Sequence, residues 1–241
     1  MTLKLLALPC AGASATMYLR WRRHLSPKVQ LLPLELPGRG MRMNEPCEEH
    51  FRTLVERICH DYAEHMQGDY VLFGHSMGAL LAYGVTVYRQ QHDLALPKAL
   101  IASASPAPSV RDPDRFANKD NDQALIADLR EQGGTPEAVF ANAELLRMTL
   151  DTLRADYRLC ASYQHIYLSE PLPVPLHVFA GRVDDIAPDR LQAWKQEGAG
   201  CFTVDWFDGN HFFIWQQQTQ VLDRLNALMR VVQPFPAVLN R

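Results

Sequence analysis

No stretch of this chain reaches the roughly eighteen consecutive apolar residues that a membrane-spanning helix needs, so the sequence predicts no span. There is also little excess charge of either sign. The 24 Lys and Arg against 27 Asp and Glu leave a formal net charge of -3, which excludes a global attraction to nucleic acid or to an anionic membrane. The five cysteines, Cys10, Cys47, Cys59, Cys160 and Cys201, contain no C-x-x-C pair. An odd count argues against a disulfide framework, so reduced and mostly buried thiols are expected. Internal repeats, low-complexity tracts and interdomain linkers are missing as well. The N-terminal apolar run, residues 1–9, is brief for a secretory signal and alternates as a buried first strand does; a cytoplasmic location is the expectation.

What the chain does have is the composition of an ordinary globular protein. Its 241 residues, 47% hydrophobic and 21% charged, suffice to bury a large core as one α/β domain over 1–241. Strand-like runs near 2–8, 29–34, 69–73, 97–103, 174–180 and 201–207 alternate with helical stretches near 14–25, 48–66, 77–91, 187–197 and 212–231. Such alternation predicts a mostly parallel sheet with helices on both faces. The pattern breaks once. Between Pro106 and Pro171 no strand is predicted, only helical patterns near 122–131, 135–141 and 142–168, interrupted by Gly133-Gly134 and bounded by Pro106, Pro108 and Pro113. An insertion of about 107–170 after a sheet strand, at the end where open α/β sheets bind ligands, is placed to be a lid. Its longest helix carries Leu145, Leu146, Leu150, Leu153, Tyr157, Cys160 and Tyr163 at spacings of three and four, an apolar stripe suited either to lining a ligand channel or to ordinary packing.

The chemistry concentrates at Gly74-His75-Ser76-Met77-Gly78, which follows the apolar run Tyr70-Val71-Leu72-Phe73 and opens onto small residues that read as helix. A serine on a strained strand-to-helix turn exposes its oxygen, and flanking glycines let strand and helix pass without a Cβ clash. Ser76 is therefore the candidate nucleophile. A serine so placed needs a base, and the base an orienting acid. In hydrolases built on this turn they follow in the order serine, acid, histidine. Here Gly181-Arg182-Val183-Asp184-Asp185 follows one predicted strand and Asp208-Gly209-Asn210-His211 follows the next. Among nine histidines, His211 alone sits in a glycine-bearing turn just past the last strand; His177 lies inside a strand and His75 reads as support for the elbow. His211 is the candidate base and Asp184 the acid, with Asp185 the alternative. Charge developing on a substrate oxygen requires N–H donors. One is expected from the amide of Met77, the other from the loop Pro9-Cys10-Ala11-Gly12-Ala13-Ser14, with Ala11 preferred over Gly12 and Cys10. The chemistry calls for no metal and no bound cofactor.

Taken together, L-P-C-A-G-A-S at 8–14, L-P-G-R-G at 36–40, F-G-H-S-M-G-A at 73–79, the G-x-x-D turn at 181–184 and G-N-H-F-F at 209–213 resemble the type II thioesterases, the stand-alone α/β-hydrolases that accompany nonribosomal peptide and polyketide synthases. The likeness runs from about residue 5 to about residue 231, and L-P-G-R-G is its most specific part. Ala13 departs from it, standing where the family often has a second glycine. The resemblance implies Ser76, Asp184 and His211 as nucleophile, acid and base, Met77 and Ala11 as oxyanion donors, and hydrolysis of acyl or aminoacyl thioesters from the phosphopantetheine arm of carrier proteins. The arm would belong to the substrate; the charge balance leads us to expect no nucleic-acid or membrane partner, and nothing in the sequence demands more than a monomer. Arg39, Arg42, Arg111 and Arg115 are candidates for docking an acidic carrier, against the alternative of solvated surface charge and, for Arg39, of a structural part in the L-P-G-R-G loop. Rival readings are an esterase or coenzyme A thioesterase of the same fold, and a non-catalytic scaffold.

Overall fold

A computed structural model describes residues 2–112, 114–116, 118–166 and 168–232. Strand β1 (Leu3–Leu8) is followed by a 3-10 helix (Ala15–Arg23) and β2 (Val29–Pro33), then α1 (Phe51–Asp61), β3 (Tyr70–His75), α2 (Met77–Gln91) and β4 (Leu100–Ser103). Next come α3 (Asp122–Gln132), α4 (Glu137–Phe140) and α5 (Ala143–Ala161) with no strand among them. The described residues close with β5 (Leu176–Gly181), α6 (Pro188–Gln192), β6 (Phe202–Phe207), α7 (Phe213–Gln216) and α8 (Gln218–Val232). All six expected strands form, and they pair in parallel in the order β2-β1-β3-β4-β5-β6.

The central strands read as unbroken apolar runs because both their faces are covered. In β1, Leu6 and Leu8 join the core shared with α1 and α2, while Leu3, Leu5 and Ala7 point to the opposite core with Tyr18, Trp21 and α8. Phe73 of β3 anchors that second core, edge-on to Tyr18, Trp21 and Phe179 at ring separations of 5.8, 5.2 and 6.4 Å. Each such ring contact adds about 0.5–1.5 kcal/mol beyond the burial itself.

Several helical expectations need correction. The helical stretch expected near 14–25 forms, as a 3-10 helix over Ala15–Arg23, but the stretch near 48–66 divides into α1 and a 3-10 turn over Ala63–Met66. The terminal stretch breaks at Gln217, between α7 and α8. The pattern expected to run to 168 ends at Ala161, which leaves His165 off the helix. The reason is local: Ser162 Oγ accepts the Phe51 amide at 2.8 Å, capping α1, while its own amide closes onto Arg158 O at 2.8 Å. Pro113, one of the prolines expected to bound the insertion, lies outside the described residues.

Candidate active site

The elbow is set by two glycines that have no room for a side chain. A Cβ on Gly74 would stand 2.0 Å from Gly78 O, and one on Gly78 would stand 2.2 Å from Leu8 O and 2.7 Å from Pro9 O. The tight crossing of β3 by α2 therefore also brings the head of α2 against the end of β1. Ser76, at the hinge, is held at φ 54° and ψ -113°, a conformation rare for a residue with a side chain. Its amide donates to Ser103 O at 2.7 Å, which ties the strained turn to β4, and its hydroxyl makes no capping bond to α2.

His211 and Asp184 meet across the ends of β5 and β6. The amides of Arg182 and Val183 donate to Phe207 O at 2.9 Å and Gly209 O at 3.0 Å, which pins the two turns together. Imidazole Nδ1 then lies 3.0 Å from Asp184 Oδ2 and 3.2 Å from Oδ1. The Asp184 side chain is 3% exposed, whereas that of Asp185 is 65% exposed and pairs with Arg115 at 3.1 Å. The acid that meets the histidine is thus Asp184. Burial pushes the Asp184 carboxyl up, but the hydrogen bond and charge of His211 outweigh it and hold the group below its ordinary range. Asp185 moves upward, through burial and the neighbouring Asp184. These three groups bring potential metal-ligand atoms within 4.8 Å of one another. Asp184 engages Nδ1 and Arg115 engages Asp185, so these donor atoms already have protein partners.

The histidine loop has a latch that sequence reasoning missed. Asn210 Oδ1 accepts the Phe212 amide and Gln216 Nε2, both at 3.0 Å, and the Asn210 amide donates to Gln216 Oε1 at 3.1 Å. The only trace of it in the sequence is an Asn and a Gln six apart around a short helix. His75 is buried, with Nδ1 2.9 Å from Ser103 Oγ and its ring 5.3 Å from that of His211. Burial first, then the charge of His211, keeps His75 far below the usual imidazole range, so it stays neutral and supports the elbow.

Ser76, His211, Met77 and Ala11 all line one cavity of about 250 Å³. In the loop after β1, the Gly12 amide donates to Asp156 Oδ2 at 2.7 Å and the Ala13 amide to Cys10 O at 3.2 Å. Gly12 is thereby engaged elsewhere, which leaves Ala11 and Cys10, both on the cavity wall, as the candidates for the second donor. Tyr157 and Cys160 of α5 form part of the wall, while Leu150 and Leu153 are buried within the insertion and Leu145 is 46% exposed. The expected apolar stripe thus serves both packing and cavity.

Three of the four candidate docking arginines are engaged. Arg39 is buried against Asp156, Arg42 pairs with Glu45 and Asp61, and Arg115 pairs with Asp185. Arg111 is half-buried on the cavity wall and has no ion-pair partner among the described residues. Of the thiols, Cys10, Cys59 and Cys160 are buried, Cys47 is half-buried and Cys201 exposed, and all five are free. No helix among the described residues is long and apolar enough to cross a membrane.

With this geometry in view, the comparisons with known proteins are consistent. The family model for the thioesterase domain matches residues 3–229. Thioesterase PikA5 of Streptomyces venezuelae is 32% identical over 97% of this chain and 83% of its own length. Among solved structures, ClbQ from the colibactin NRPS/PKS pathway superposes with a TM-score of 0.90 at 31% identity, covering 96% of this chain and 98% of its own. The type II thioesterase BorB from the borrelidin biosynthetic cluster gives 0.86 at 31% identity, covering 97% and 94%. The parallel sheet, the elbow and these relatives lead to one assignment: the chain is a serine-hydrolase-type enzyme of the α/β-hydrolase fold and belongs to the thioesterase family, among the type II thioesterases of nonribosomal peptide and polyketide pathways.

Proposed function

We propose that this enzyme removes acyl or aminoacyl groups from the phosphopantetheine arm of carrier proteins through an acyl-enzyme on Ser76. The observation that carries the reading is the 3.0 Å contact between Asp184 and His211 Nδ1 at a cavity that Ser76 shares. With Asp184 fixing Nδ1 as the protonated nitrogen, His211 Nε2 accepts the Ser76 proton as Oγ attacks the thioester carbonyl. The oxyanion is stabilised by the Met77 and Ala11 amides, and the pantetheine thiolate leaves with the electrons of the C–S bond. The thiolate departs without prior protonation and then takes up the proton held by His211, which restores the neutral imidazole as base for the water; that second proton returns to Ser76 as the acid is freed. In this reading the helices over residues 122–161 form a lid on the acyl pocket, and the enzyme acts as a cytoplasmic monomer beside its synthase.

Relatives named for colibactin and borrelidin biosynthesis support a carrier-bound substrate. Single-turnover release from a pantetheinylated carrier, run beside the matching coenzyme A thioester and p-nitrophenyl ester with Ser76→Ala as the blank, tests it. Carrier release faster than either free analogue, and lost in the blank, is the expected result. Rapid turnover of free esters with an untouched carrier would move the assignment to a small-molecule esterase or coenzyme A thioesterase. A Ser76→Ala protein as active as the parent would end the serine mechanism altogether.

A further inference from the structure

The carboxylate of Asp156, on α5, is fully buried far from Ser76 in sequence, and the reaction as derived makes no use of it. It faces two donors. Arg39, from the L-P-G-R-G loop, places Nη1 2.6 Å from Oδ2 and Nη2 2.6 Å from Oδ1, a two-pronged contact with 6% and 0% of the two side chains exposed. The Gly12 amide, next to Ala11, donates to Oδ2 at 2.7 Å, and Arg39 Nη1 also reaches Ala13 O at 3.3 Å. The Ala11–Gly12 and Ala13–Ser14 peptide groups are therefore both gripped by one buried ion pair. The far end of the same loop is held as well, because Ser14 Oγ donates to Glu35 Oε2 at 2.7 Å and the Ala15 amide to Glu35 Oε1 at 3.0 Å. Gly40 makes room for this second anchor, since a Cβ there would lie 2.0 Å from Glu35 Oε2.

We propose that Asp156, clamped by Arg39, is a positioning residue for thioester hydrolysis that fixes the Ala11 amide in its oxyanion-stabilising orientation and couples that orientation to the seating of α5. An amide helps a reaction only where it already points at the developing charge, and a flexible loop of small residues has no such orientation of its own. A carboxylate that accepts the very next amide and engages a planar fork supplies it. Because Tyr157 and Cys160, on the same helix, wall the cavity, displacing α5 both opens the pocket and removes the acceptor of Gly12. The acyl pocket and the oxyanion donors are thus completed by one seating event. The inference rests on the serine mechanism proposed above.

The test compares Asp156→Asn, which keeps the shape but loses the charge, with Arg39→Lys, which keeps the charge but loses the fork. Each is measured on a free acyl thioester and on a trifluoromethyl ketone whose adduct with serine mimics the oxyanion. Both variants are expected to lose about ten-fold or more in kcat, within the range seen for weakened oxyanion donors, with KM changed less than about two-fold. Affinity for the ketone is expected to fall in proportion to kcat. A role in stability alone would lower Tm and leave kcat and ketone affinity intact in the folded variants, and that result overturns the proposal. If neither variant folds, the Gly12 amide of the 15N-labelled wild type decides: protection like that of the sheet amides supports the clamp, and exchange at the rate of an open loop overturns it. Ser76→Ala separates the two levels of inference. Activity surviving in it sinks the serine mechanism, whereas its inactivity beside an unimpaired Asp156→Asn sinks the clamp alone.

Discussion

Gly78 at the head of α2 lies so close to Leu8 that a single added Cβ would stand 2.2 Å from the Leu8 carbonyl oxygen. This contact joins the turn that carries Ser76 to the strand that feeds the Ala11 loop, and backbone on both sides leaves little to yield. Gly78→Ala is expected to destabilise the fold by about 1–3 kcal/mol, as overpacking does. It also pushes the Met77 amide away from the loop, with an expected loss in kcat of about 10²-fold. Urea unfolding and steady-state turnover on one preparation check both; wild-type kcat in this variant would separate the crossing from catalysis.

The two adjacent aspartates are expected to differ sharply. Asp184→Asn leaves the shape of the pair but lets His211 turn to the wrong tautomer, and a fall in kcat of about 10⁴-fold follows from the parallel with other triads. Asp185→Asn touches a side chain that is 65% exposed and paired with Arg115, so kcat stays within about three-fold. Reversal of that order would transfer the acid role to Asp185.

Two histidines make stability depend on pH. His75 is held below the ordinary value of 6.5 by burial and then by His211, and His177 by burial and then by Arg224. With the folded pKa depressed, the unfolded chain takes up the proton first. Stability is therefore level above that ordinary value and falls as pH drops through it towards the folded values. Urea unfolding from about pH 7.5 down to about pH 5.5 should show a loss that approaches about 1.4 kcal/mol per pH unit from His75, with a further contribution of the same sign from His177. His177→Gln, which retains a partner for Thr203 Oγ1, is expected to flatten the slope. An unchanged slope would assign it to other groups.

The parts of this enzyme that were legible in sequence are those whose signal is local. Apolar runs fixed the six strands because each central strand is buried on both faces, and G-x-S-x-G marked the elbow because no other residue fits at Gly74 and Gly78. Asp184 and His211 stand out from the order serine, acid, histidine together with their places just past strand ends. The choice between Asp184 and Asp185 depended on which carboxyl turns inward, and that is decided by the approach of β6 to β5. Asp156 was silent for a different reason. On an amphipathic helix it looks like any polar residue, and its partners lie 117 and 144 positions away. For Arg39 the sequence leaves docking and a structural part in L-P-G-R-G both open, because that motif does not show that its guanidinium turns inward.

The insertion should open locally before the sheet does. Helix α3 buries only Leu125 and Asp128, and α4 buries nothing, whereas every residue of β3 is buried. Local opening free energy follows such burial, so amides of α3 and α4 are expected to exchange at least about ten-fold faster than those of β3, or about 1.4 kcal/mol lower in opening energy. Hydrogen exchange resolved by peptide mass checks this, and uniformly slow exchange would make these helices part of the rigid scaffold instead of a lid.

Arg111 is the remaining candidate for holding an anionic portion of the substrate. Its guanidinium stands on the cavity wall near enough to lower the Cys160 thiol against the dominant effect of burial, and no carboxylate among the described residues neutralises it. A half-buried charge left in this state favours an incoming anion, such as the phosphate of the pantetheine arm or an acidic carrier face. Arg111→Ala is therefore expected to raise KM for a carrier-bound acyl group about five- to ten-fold with kcat little altered, and to leave p-nitrophenyl ester turnover unchanged. The effect should shrink between about 20 and about 200 mM salt, because screening weakens the attraction in the wild type first. Equal KM values for variant and wild type at the lower salt would remove Arg111 from recognition and leave the arm to be held by shape and backbone alone.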